Sequence, residues 1–145
     1  MNFKDFFILA ESYEQDIKKT LSKIPKKHQA LIRGYKFKFQ SGNELKGDHE
    51  SVGLVDREKK TITIAAPYNF GREFCILHEI GHLVWETLDK DAQKKWRELI
   101  KKYPAEDSPK QAADEYFSMA YANTHVYNQV KKFCIDAWHK FVQGL

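Results

Sequence analysis

Phe74-Cys75-Ile76-Leu77-His78-Glu79-Ile80-Gly81-His82-Leu83-Val84-Trp85 places two imidazoles and a carboxylate inside an otherwise apolar run. From Arg72 onward the apolar positions recur with a helical period. A helix that is apolar on most of its surface is a buried one. Ionisable groups in a buried helix are costly unless other groups meet them. The helix is therefore expected at the centre of the fold, with partners for His78, Glu79 and His82 supplied from elsewhere.

Working towards the N-terminus, residues 61–65 and 52–55 read as two short strands joined by the polar turn Asp56-Arg57-Glu58-Lys59-Lys60, a hairpin closed by Pro67. Residues 41–50 hold two glycines, Asn43 and Asp48, and read as a loop. Before them Tyr35, Phe37 and Phe39 alternate with Lys36, Lys38 and Gln40, the period of a half-buried strand. Residues 3–22 carry a helical apolar stripe that Pro25 ends, and a short second helix starts at that proline. Towards the C-terminus, residues 89–102 read as a helix burying Trp96, Leu99 and Ile100. Residues 103–109 form a loop bounded by prolines, and further helices cover about 110–122 and 129–142. Helices, then three strands, then helices make an α+β chain with one small sheet of about three strands packed on the central helix. Its 145 residues are expected to form a single domain, 1–145.

Residues four apart on a helix share one face, so His78 and His82 can ligate one zinc ion. Glu79 lies about 100° round the helix, where it flanks the metal and can take a proton from the water that the metal activates. Gly81 is a poor helix former; its presence beside His82 suggests close approach of a strand or loop backbone. The composition gives a chance HExxH in such a chain about 2% of the time; two core histidines satisfied by hydrogen bonds are the plain alternative. A third ligand is needed. Glu86, Asp89, Glu98, Glu106, Asp107, Asp114, Glu115 and His125 lie downstream, and Cys75 is three residues before His78. Glu115 is the best of them, an acid in the otherwise apolar stretch Ala112 to Ala120. Asp114 is a rival ligand, a group that orients a histidine N–H, or a solvated first-turn acid.

Composition narrows the partners. The charge is +4 with a pI near 8.9, but no run of Lys or Arg exceeds two residues, so the pairs read as solvated faces. A nucleic-acid partner is not expected despite 14% aromatics. No stretch approaches the ~20 apolar residues of a membrane span, and charges interrupt Met1 to Phe7, so no signal h-region is read there. That favours a cytoplasmic location; a secreted or delivered mature domain would read the same. Cys75 and Cys134 each sit in an apolar run and read as buried free thiols.

His78-Glu79-Ile80-Gly81-His82 followed by Asp114-Glu115-Tyr116-Phe117-Ser118-Met119-Ala120-Tyr121 resembles the catalytic domain of anthrax lethal factor and its relatives, among them the small clostridial Pro-Pro endopeptidases. The aromatic tail Ala137-Trp138-His139-Lys140-Phe141-Val142 and the hairpin before the zinc helix are similar as well, so the resemblance covers roughly residues 20–145. It implies a zincin-like fold and Glu115 as third zinc ligand. It also implies a substrate peptide lined along a strand. This chain has Ser118 and Met119 where the family has Ala and Glu. It has Ser108 where a catalytic Tyr is usual; Tyr103 is the nearest upstream substitute and takes that oxyanion role in the implied site. The function so implied is a monomeric zinc endopeptidase acting on a peptide or protein substrate. The alternatives are an intracellular, repressor-cleaving HExxH peptidase of a phage or mobile element, and a non-catalytic zinc protein whose metal supports a protein-binding surface.

Overall fold

The computed structural model of the chain describes residues 14–40, 53–65, 71–104, 112–127 and 136–145. Helix α1 covers 14–21 of these, and Pro25 caps α2 (Lys26–Gln29), which tightens into a 3₁₀ turn, Ala30–Ile32. Strands β1 (Lys36–Gln40), β2 (Gly53–Asp56) and β3 (Thr61–Ala65) form one mixed sheet in the order β1-β3-β2. The expected hairpin is antiparallel β2–β3, while β1 runs parallel to β3. Register puts Gly53, Val55, Ile62, Ile64, Phe37 and Phe39 on one face, and Leu54, Thr63, Lys36 and Lys38 on the other. The first face is the apolar one: Ile62 and Ile64 are fully buried, whereas Leu54 is exposed. The fold is α+β. Among the described residues no helix is long and apolar enough to cross a membrane.

Helix α3 (Arg72–Thr87) buries ten of the eleven positions from Phe74 to Val84, with only His82 left partly open. It is flanked by the sheet and by α5 (Ala113–Tyr127). Gly81 is what lets α5 in. A Cβ at Gly81 would lie 2.9 Å from Ser118 Cα, so the close approach is by a helix backbone, not by the strand or loop expected. Helix α4 (Lys90–Lys102) starts at Asp89, whose carboxylate accepts from the Ala92 N–H at 2.7 Å. Its Trp96 is buried against Phe117, Trp138 and Phe141, and donates to the Ala113 carbonyl at 2.8 Å, pinning α4 to the first turn of α5. Leu99 and Ile100, expected to be buried, are only partly so, because they lie at the rim of this cluster. Helix α5 begins at Ala113 and runs five residues past the expected end at Ala122. The continuation is held by buried polar contacts, Thr124 Oγ1 lying 3.0 Å from His139 Nδ1 on α6 (Asp136–Gln143). The expected loop 41–50, residues 105–109 of the expected loop 103–109, residues 110 and 111 of the expected helix 110–122, helical residues 3–13 and 129–135, Val52, Pro67 and Cys134 lie outside the described residues.

Candidate metal centre

His78 and His82 project from one face of α3, their rings edge to face with centroids 5.1 Å apart. Glu115 meets both from the first turn of α5: Oε2 is 3.2 Å from His78 Nε2 and Oε1 is 2.9 Å from His82 Nε2. Each of the three offers a ligand atom, and these atoms all lie within 4.8 Å of one another. In a tetrahedral zinc site with bonds of ~2.0–2.1 Å, neighbouring donor atoms stand about 3.3 Å apart. Two neutral imidazoles and one carboxylate at these spacings therefore fit a zinc ion. Asp114 adds a carboxylate oxygen 3.4 Å from His82 Nδ1, on the far side of that ring from Glu115. It is both a first-turn acid and a neighbour of a candidate ligand. Glu115 is not deep in the helix; its side chain is 42% exposed, and the positive end of the α5 dipole favours its charge.

The electrostatics follow from this packing. The hydrogen bonds from His78 and His82 hold the Glu115 carboxyl well below the usual carboxylate range. Burial pulls the His82 imidazole down, but the bond and charge of Glu115, with Glu79 and Asp114, outweigh it and raise the pKa. Glu79 is 5% exposed, and burial pushes its carboxyl above the ordinary value against the opposing pull of His78 and His82. The first residue of β2 lies directly over it: a Cβ on Gly53 would stand 2.7 Å from Glu79 Cγ and 2.8 Å from its Oε1.

Of the other candidates, Glu98 is exposed on α4. Glu86 pairs with Arg57 of the hairpin turn, and Asp89 caps α4. His125 is packed against Tyr121 with ring centroids 4.5 Å apart. Cys75 is buried in the core, where desolvation raises its thiol to about 11 and keeps it protonated at neutral pH. Glu106 and Asp107 lie outside the described residues. Tyr103 ends α4, 41% exposed, with Lys102 Nζ 5.4 Å from its ring. Gly53 and Arg57 were not singled out from the sequence. A lone glycine opening a strand is the available signal for the first, since it marks close approach of another group; the Arg57–Glu86 pairing has no local signature. Compared with protein-family models, with curated proteins and with solved structures, the chain finds no match in any of the three.

Proposed function

We propose that this chain is a zinc-dependent endopeptidase of zincin-like fold. The observation that carries the reading is the meeting of His78, His82 and Glu115 from two helices, with the buried Glu79 carboxylate beside them on α3. Among the described residues no fourth His, Cys, Asp or Glu joins the three, as suits a centre with one position open for substrate chemistry. Zinc, when bound, supplies Lewis acidity that makes water a stronger acid and polarises a carbonyl. Glu79 does the proton work. Its raised pKa brings it closer to that of the water it must deprotonate, and the same group then donates to the leaving amine. Glu115 and the two imidazoles contribute one negative charge, which a divalent ion overcompensates. The outer edge of β2 pairs with no strand among the described residues, so an extended peptide can add there and bring a carbonyl past Glu79.

The test is Glu79→Gln. Zinc content should stay stoichiometric while hydrolysis of a peptide library falls by about 10²–10⁴-fold, the usual contribution of a general base. Undiminished hydrolysis, or wild-type protein that takes up no stoichiometric zinc, would overturn the reading.

A further inference from the structure

The edge of β2 and the metal-facing side of α3 run side by side. Gly53 starts β2 against Glu79. Four residues later Arg57 pairs with Glu86, seven residues beyond Glu79 on α3. Four strand residues cover about 13 Å, and seven helical ones about 10.5 Å, so the two walls keep pace and end together at the Arg57–Glu86 pair. Continuing the strand alternation, Arg57 falls on the same face as Gly53 and Val55, the face that meets α3. Its guanidinium is close enough to Glu79 for their charges to interact.

The pair is a weak fastener of the hairpin: the Arg57 and Glu86 side chains are 48% and 46% exposed, and such pairs add little stability. A guanidinium carries five N–H donors in a planar fork. A carboxylate takes up at most two of them, so Glu86 steadies the side chain and leaves donors for a second carboxylate. We propose that Arg57 is a specificity-determining residue that binds a carboxylate of the substrate about four residues from the scissile bond, at ~3.3 Å per extended residue. This rests on the peptidase reading above. The carboxylate is either an Asp or Glu side chain or the free C-terminus of a short peptide. The net charge of +4 favours approach of acidic chains in both cases.

The experiment uses the full chain loaded with zinc and two randomised peptide libraries, one with acetylated and amidated termini and one with free C-termini. Cleavage sites are mapped by mass spectrometry. The expected result is Asp and Glu enriched over Lys and Arg by about fivefold, near the fourth residue from the cut, in the blocked library. Enrichment confined to free C-termini four residues from the cut assigns the terminal carboxylate instead, and equally supports Arg57. Arg57→Gln should flatten the preference. The exchange Arg57→Glu with Glu86→Arg keeps an ion pair and should leave the thermal midpoint near wild type, since the exposed pair adds little stability, yet should turn the preference towards Lys and Arg. A charge-blind wild-type profile, unchanged enrichment in Arg57→Gln, or a wild-type profile from the exchanged pair would overturn the assignment. Cleavage of no peptide at all would overturn the peptidase reading, and this one with it.

Discussion

Gly53 and Glu79 show how a single missing Cβ sets the site. The Glu79 carboxyl is buried and raised because a strand backbone lies on it, and the strand can lie there only because residue 53 has no side chain. A methyl group at this position would also stand 2.8 Å from the Thr63 carbonyl oxygen, which is held in the β2–β3 pairing and cannot swing aside as a side chain could. Gly53→Ala is therefore expected to lift β2 or push Glu79 off its position. Overpacking of this kind costs about 1–3 kcal/mol, and in the proposed reaction a displaced Glu79 lowers kcat by about ten- to a hundredfold. The checks are urea unfolding and steady-state kinetics on a cleaved peptide. Zinc affinity should change little, since neither imidazole touches residue 53; a variant that loses zinc while keeping kcat would show that Gly53 serves the metal and not the base.

At the scale of elements, the three candidate ligands come from α3 and α5, so the distance between these two helices is the distance across the candidate metal site. Gly81 fixes it. Replacing Gly by Ala inside a helix gains roughly 1 kcal/mol of propensity, but the new Cβ would press on Ser118 Cα at 2.9 Å and on its Cβ at 3.2 Å. Backbone cannot yield as a rotamer can, so Gly81→Ala should destabilise by about 1–3 kcal/mol despite the better propensity. It should also weaken zinc binding about tenfold or more, because Glu115 moves away with α5. Both are read by chelator competition and thermal unfolding; a more stable Gly81→Ala protein would refute the steric account. The same pair of helices marks what the sequence disclosed. The run from Phe74 to Trp85 carries its own period, its own i, i+4 histidines and its own acid, so α3 and two of the three clustered donors could be read locally. Glu115 was legible through its apolar surroundings, although its place in the first turn makes it less buried than they suggested. The parallel β1–β3 pairing, the seat of Gly53 on Glu79 and the Arg57–Glu86 contact are long-range events. Each depends on how the sheet is laid across α3, and nothing in a local window encodes that. The extra turn of α5 escaped for a related reason: Asn123 and Thr124 look like helix-ending polar residues until α6 brings His139 to meet Thr124.

For the molecule as a whole, stability and pH are linked through histidines remote from the candidate metal centre. His28 Nδ1 lies 2.9 Å from the Tyr121 hydroxyl, and Tyr121 in turn packs on His125. These contacts join α2 to α5. Burial lowers the pKa of His28, with the Lys27 charge adding to it. Burial, with the charges of His28 and His139, takes His125 down to about 4 against a hydrogen bond to the Lys23 backbone. A histidine held neutral in the fold and free to titrate near 6.5 when unfolded makes the unfolded chain bind more protons between these two values. Stability is then complete above pH 6.5 and falls as the pH drops through 6.5 towards 4, by at most about 3 kcal/mol for His125. In the proposed zinc protein, release of the metal at acid pH would act in the same direction, so the two effects must be separated. Urea unfolding of chelated protein at pH 7.5, 5.5 and 4.5 removes the metal from the comparison, and His125→Gln removes the titrating group. The metal-free variant is expected to be less stable than wild type at pH 7.5, through lost packing on Tyr121, yet to lose clearly less on acidification, so that the two curves converge near pH 4.5. Parallel curves would place the acid sensitivity elsewhere and deny His125 its share in it.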